Sequence, residues 1–184
     1  TNCSNVIKLA ALDGYGIAEN LLRVLPNLKQ LHLLMRDGST DDYAALTLPR
    51  LTTLVIKEGK ETMHKIQALV SVATNLMRLS IDFKGSEIFS AGFPNVISQC
   101  VNLRALRCGL LNDTHLELIS SQCPHIVHLD VSDSHNNTDH GVFFVAVKLK
   151  LQSLGIQISA GITNDSIELI VQYCCSTLRV LFIK

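Results

Sequence analysis

The heptad HIVHLDV (125–131) decides how the rest of the chain is read. Its apolar residues follow the pattern x-Φ-x-x-Φ-x-Φ, where Φ is apolar, and its HLDV core alternates with the period of two of a half-buried strand. The same pattern recurs in NVIKLAA (5–11), NLKQLHL (27–33), RLTTLVI (50–56), NLMRLSI (75–81), NLRALRC (102–108), KLQSLGI (150–156) and TLRVLFI (177–183). Successive copies begin 22 to 27 residues apart, and chance does not give eight regularly spaced copies. A period of this length marks a chain built by stacking one small unit.

The segments between the copies agree with each other. LELISSQC (116–123) and IELIVQYC (167–174) match at L/I-E-L-I and at the terminal Cys, and VISQC (96–100) is a shorter echo. Leu116, Ile119 and Cys123 fall at i, i+3 and i+7, one face of a helix. AENLLRVLP (18–26) and HKIQALVSVAT (64–74) read as the helices of earlier units. GVFFVAVKL (141–149) occupies the place of another, against the preference of its β-branched and aromatic residues. DDYAALTLP (41–49) leaves room for little more than one or two turns.

Each unit is therefore a strand, a turn and a helix. One such unit cannot cover its own apolar face, so neighbours stack, and crossovers through helices make the strands parallel. The spacing falls within the leucine-rich-repeat range of roughly 20–29 residues. The expected fold is an α/β leucine-rich-repeat solenoid of about eight repeats. It is curved, with parallel strands on the concave face and helices on the convex face. No linker-like stretch interrupts the register, so residues 1–184 are expected to form a single domain. Leu31, Leu54, Leu79, Leu106, Leu129, Leu154 and Leu181 should stack as one buried ladder. The sequence opens TNCSNVIKLA and stops at TLRVLFIK, without an initiator Met at one end or a following helix at the other. The expectation is a fragment of a longer chain, with further repeats beyond Lys184 and a recruiting domain before Thr1.

Two units carry a more specific signature. NLRALRCGLLNDTHLELISSQC (102–123) and KLQSLGIQISAGITNDSIELIVQYC (150–174) resemble the cysteine-containing leucine-rich repeats, whose unit is L-x-x-L-x-L-x-x-C-x-x-I-T-D-x-x-L-x-x-I-x-x-x-C. Cys108 stands near the mid-repeat cysteine and Asn112-Asp113 takes the T-D place. The first four units fit the general leucine-rich pattern. The resemblance implies the substrate-recognition region of an F-box-type ubiquitin-ligase subunit. In that family an F-box segment precedes the repeats and docks the ligase adaptor. No F-box-like segment occurs in this chain, so the adaptor is a partner only if one lies upstream. A second class of reading is a ligand-binding ectodomain or structural scaffold with no ubiquitin link.

Other residues invite chemistry and are better explained by the repeat. Cys123, His125 and His128 have the residue types of a zinc site, but tetrahedral binding needs four converging ligands. Period two sends adjacent strand residues to opposite faces, and Cys123 closes a helix as Cys100 and Cys174 do. Ser134, His135 and Asp139 lie in the polar stretch VSDSHNNTDHG without a nucleophile-elbow pattern. Gly14-Tyr15-Gly16 lacks the flanking residues of a phosphate loop. No catalytic residue, cofactor or metal is expected. The six cysteines (3, 100, 108, 123, 174 and 175) read as reduced thiols filling small apolar sites, which places the protein in the cytoplasm or nucleus. Sequons at Asn2, Asn112, Asn136 and Asn164 favour the alternative, a secreted glycoprotein, although helix capping accounts for NDT and NDS.

The composition narrows the partners. Apolar residues make up 47% and charged residues 17%, while 16 basic and 16 acidic residues cancel to zero net charge. That balance excludes a general electrostatic grip on nucleic acid or an acidic membrane, and no apolar run is long enough to span a bilayer. What remains is a protein partner on the concave face. Between the buried strand positions the charged outer residues are densest at His32, Lys57, Arg78, Asp82, Arg107, His128 and Asp130. These form the candidate partner-binding site, their mixed signs suited to a specific protein surface.

Overall fold

Each of the eight heptads folds as a strand that begins at its fourth residue. The computed structural model describes residues 3, 5–14, 16–36, 40–57, 63–82 and 87–184, with residues 87–91 described by backbone alone. Among the described residues, eight parallel strands alternate with six helices, and the chain falls into two compact units, Thr1–Cys100 and Val101–Lys184.

The first unit contains β1 (Lys8–Leu12), α1 (Ile17–Arg23), β2 (Gln30–Leu34), β3 (Thr53–Lys57), α2 (Met63–Val72), β4 (Arg78–Asp82) and α3 (Glu87–Ser98). Its strands pair in sequence order, all parallel, and the register puts Leu9, Leu31, Leu54 and Leu79 in one row. Leu31, Leu54 and Leu79 are buried and their strand neighbours face outward, as a pleated strand with one covered face requires. Ile66, Leu69 and Val70 of α2 are buried as well. Transfer of such side chains from water contributes roughly 1.5–3 kcal/mol each.

The segment expected to make one or two helical turns at 41–49 makes none. Its side chains are committed elsewhere. Tyr43, Leu46 and Leu48 are buried, the Ala44 N–H donates to Asp42 Oδ1 at 2.9 Å, and the Asp42 N–H donates to Glu19 Oε2 at 3.0 Å. Beneath them, Asp13 is fully buried and accepts from the Tyr43 hydroxyl at 2.6 Å and from Lys65 Nζ at 3.1 Å. Asp41 joins by accepting the Gly14 N–H at 2.8 Å, and burial together with a hydrogen bond to Asp13 pushes its carboxyl above the usual value. Gly16, in the left-handed region at φ 70, caps α1. Gly14 is thus tied to this polar cluster through Asp41, and Gly16 starts a helix; Tyr15 lies outside the described residues.

The second unit contains β5 (Ala105–Cys108), α4 (Asp113–Gln122), β6 (His128–Val131), α5 (Asp139–Lys148), β7 (Ser153–Ile156), α6 (Asn164–Cys174) and β8 (Val180–Ile183). Its strands are again parallel and in order, with Leu106, Leu129, Leu154 and Leu181 in one row. Leu106, Leu129 and Leu154 are buried, but Leu181 is 39% exposed, contrary to the expectation of an unbroken buried ladder. All four residues of β8 are exposed, because this strand pairs with β7 on one side and no described helix follows it. Of the stretch 141–149, residues 141–148 are helical despite its β-branched content, since Val142, Val145 and Ala146 bury one face, and Leu149 is the extended C-cap.

Three helix starts in this unit are linked to one another. Asn112, Thr138 and Thr163 each cap the following helix by accepting a backbone N–H, from His115, His140 and Asp165 respectively. The aspartate after each of the first two caps then holds the next cap. Asp113 accepts from the Thr138 N–H at 2.8 Å and the Thr138 hydroxyl at 2.5 Å. Asp139 accepts from the Thr163 N–H at 2.8 Å, the Thr163 hydroxyl at 2.7 Å and the buried Ser166 hydroxyl. The T-D place of the repeat is therefore a joint between successive units.

Candidate functional site

Period two decides which side chains the strands present outward. In the first unit Lys57, Arg78 and Asp82 are exposed and His32 is partly so. Parallel register sets Lys57 opposite Asp82, Thr53 opposite Arg78, and His32 opposite Val55, so one facing pair, Lys57 and Asp82, is oppositely charged. Partial burial lowers the His32 pKa, and the neighbouring Lys8 and Lys57 lower it further. This imidazole is neutral at pH 7.

In the second unit Arg107 and His128 are exposed and Asp130 is partly covered. Register places Arg107 beside Asp130, and Arg107 Nε lies 3.5 Å from Asp130 Oδ2. The carboxylate of Asp130 is held from the other side by the Ser132 N–H at 3.1 Å and its hydroxyl at 2.7 Å. Gly155, opposite Asp130 on β7, leaves the room: a Cβ there would stand 2.6 Å from Asp130 Oδ1. Both ion-pair partners remain open to water, so the pair contributes at most about 1 kcal/mol to folding. Its consequence is orientation, since the charges are fixed at strand spacing.

Asp133 belongs to this face and was not among the residues expected from sequence. It follows β6 by two positions, where alternation no longer predicts direction. Its Oδ1 lies 2.7 Å from Lys184 Nζ and its Oδ2 lies 3.8 Å from Arg107 Nη2. The Lys184 ammonium is the main cause that holds the Asp133 carboxyl below its usual value. Arg107, Asp130, Asp133 and Lys184 thus form an alternating chain of charges. The seven expected residues all fall on outward strand faces, four in the first unit (His32, Lys57, Arg78, Asp82) and three in the second (Arg107, His128, Asp130).

The Cys-His cluster of 115–128 resolves into separate structural roles. The His115 N–H donates to Asn112 Oδ1 at 3.1 Å, and His115 Nδ1 accepts the Asn112 N–H at 3.3 Å, a capping box with histidine in the place of Glu. Cys123 is buried at the end of α4, whereas His125 and His128 are exposed. Among the described residues, no group of three or more His, Cys, Asp or Glu is placed to hold a metal ion. None of the six cysteines is joined in a disulfide: Cys100, Cys108, Cys123 and Cys174 are buried, Cys3 and Cys175 exposed. Burial pushes the Cys123 thiol up to about 12, and Cys174 Sγ donates to the Ala146 carbonyl at 3.6 Å. Asn112, Asn136 and Asn164 are exposed; Asn2 lies outside the described residues. No described helix is long and apolar enough to cross a membrane.

No family model matches the chain, and no curated protein matches it.

Proposed function

We propose that the chain is a leucine-rich-repeat interaction module that reads a protein partner on its outward strand face, as the substrate-recognition region of an F-box-type ubiquitin-ligase subunit does. The observation that carries this reading is the face itself, where charges of both signs are fixed in register: Lys57 opposite Asp82, and Arg107 paired with Asp130. A backbone already fixed in strands needs no further ordering when a partner docks, and mixed charge selects by complementarity rather than by total charge. The buried Cys100, Cys123 and Cys174 at helix ends, and the caps at the T-D place, support the cysteine-containing type of repeat. The ligase link rests on that resemblance, and an adaptor is a partner where an F-box precedes the repeats.

Expression of the tagged chain in cells, followed by quantitative mass spectrometry of what it captures, tests the reading. Arg78→Glu with Asp82→Lys, and Arg107→Glu with Asp130→Lys, should each remove a defined set of partners. Glu117→Lys with Glu168→Lys, on exposed positions of α4 and α6, should retain it. In the full-length product the lost partners should be those whose ubiquitylation depends on this protein. Equal capture by strand-face and parent chains refutes the reading. The exposed sequons favour the second reading, a ligand-binding ectodomain, and N-linked glycans found at Asn112 and Asn136 would put it in place of the first.

A further inference from the structure

Two carboxyl groups meet inside the first unit. Asp13 follows β1 and is fully buried, and Asp41, in the segment between β2 and β3, is 4% exposed. Asp41 Oδ2 accepts the N–H of Gly14, the residue after Asp13, at 2.8 Å, which sets the two side chains next to each other. They hydrogen-bond each other, and the buried Tyr43 hydroxyl reaches both, donating to Asp13 Oδ1 at 2.6 Å. Lys65 Nζ of α2 stands 3.1 Å from Asp13 Oδ2. Residues 40–49 form neither helix nor strand, so side chains decide where this segment lies.

A hydrogen bond between two carboxyl groups needs a proton, because an ionised carboxylate only accepts. Two ionised carboxylates in contact in a buried site repel, and such a pair keeps a proton to higher pH than a lone carboxyl does. Burial first, and then the hydrogen bond and charge of Asp13, favour the protonated form of Asp41; the Gly14 N–H and the charge of Lys65 oppose it. From α1, Glu19 reaches the same segment, and its carboxylate accepts from Arg23 at 2.7 Å and from the Asp42 N–H at 3.0 Å. His64 of α2 is exposed. Asp13 receives both the phenol and the ammonium, which suits the ionised partner, and leaves Asp41 as the protonated one.

We infer that Asp13 and Asp41 are a proton-operated clasp: one proton held between the two carboxyls fastens residues 40–49 to the turn after β1, and its loss loosens them. As pH rises the proton leaves to solvent and the two carboxylates repel. The raised carboxyl of Asp41 gives stability that is fully present below the unfolded value of about 3.9 and is lost as pH rises through the folded one. The first unit therefore tightens in mild acid. The clasp is a device of the fold and does not depend on what the strand face binds.

The test is Asp41→Asn, whose amide donates to Asp13 as a protonated carboxyl does, keeps an oxygen for the Gly14 N–H and cannot titrate. Urea midpoints of the parent 184-residue chain and of the variant are compared at about pH 4 and about pH 7. Titrations common to both chains cancel in the difference. The variant should gain on the parent by about 0.5 M or more between the two pH values. A difference that is constant with pH, or one that moves against the variant as pH rises, overturns the clasp. Carboxyl-carbon NMR of the parent chain, labelled at aspartate, reads the proton itself and does not require the variant to fold. The Asp41 line should titrate above about 3.9, and the Asp13 line should move in the same step, because the proton belongs to the pair. Titration of Asp41 at or below that value overturns the clasp as well, and so does an Asp13 line that stays still while Asp41 titrates.

Discussion

Replacing Asp139 by Ala isolates the joint between two repeats. The carboxylate accepts from the Thr163 N–H at 2.8 Å, the Thr163 hydroxyl at 2.7 Å and the Ser166 hydroxyl. Hydrogen bonds to a charged acceptor contribute roughly 1.5–3 kcal/mol each when considered singly, and those sharing one carboxylate are not additive. Thr163 is exposed and water replaces its lost partner at small cost, but Ser166 is fully buried, and its hydroxyl would be left without this acceptor. The expected loss is therefore about 2–3 kcal/mol, set mainly by the buried hydroxyl. With a urea m-value of about 2 kcal/mol/M, the midpoint falls by roughly 1–1.5 M. Asp165→Ala is the control. That side chain is exposed in the first turn of α6 and should cost less than about 1 kcal/mol, the contribution of one acidic group to a helix N-terminus. Urea unfolding followed by far-ultraviolet circular dichroism, with m unchanged among the three proteins, reads the difference. Equal midpoints for Asp139→Ala and Asp165→Ala would refute the idea that this carboxylate joins the repeats.

The same carboxylate makes a pH prediction. Burial opposes its ionisation, but hydrogen bonds from Ser166 and Thr163 outweigh this and hold its pKa below the usual value. A depressed folded pKa gives stability that is present above the unfolded value of about 3.9 and lost as pH falls through the folded one. The midpoint gap between the parent chain and Asp139→Ala should thus shrink below about pH 4, and a gap that widens in acid contradicts it. In the first unit, Lys65→Ala leaves the fully buried Asp13 without its ammonium, at a cost of about 3–5 kcal/mol in unfolding free energy; a loss under about 1 kcal/mol would show that the pair does not stabilise the fold. Cys3 and Cys175 should react with a thiol reagent in the native protein, and all six cysteines in denaturant without reductant. A shortfall in denaturant would mean disulfides and an oxidising compartment.

The strands were legible because one rule, period two with Leu at a fixed place, holds in all eight copies. The row from Leu31 to Leu79 and the row from Leu106 to Leu154 follow from it directly. Alternation also placed the seven candidate residues on outward faces. It could not pair them, since whether Arg107 meets Asp130 depends on register, and Asp133 lies past the strand's end. α3 was visible only at its last turn, VISQC, because Gly92 and Pro94 argue against a helix there; the chain is helical from Glu87 to Ser98 with Pro94 inside. The cluster of Asp13, Tyr43 and Lys65 joins residues 30 and 52 positions apart, a separation at which no local pattern exists. The sequence marked the NDT and NDS triplets, at Asn112 and Asn164, as cap positions; Asn112 does cap α4, but the cap of α6 is Thr163, one residue earlier, and the grip of Asp113 on Thr138 is a contact between repeats.

The claim that the outward strand face is the partner surface is tested most directly by covalent footprinting. The chain would be labelled at lysine, histidine and carboxylate side chains, alone and bound to a captured partner. The account predicts that Lys57, Asp82, His128 and Asp130 lose reactivity on binding, while Glu117, Lys148 and Glu168 on the helices keep theirs. Protection of the helix residues, with the four strand residues as reactive as in the free chain, would contradict it.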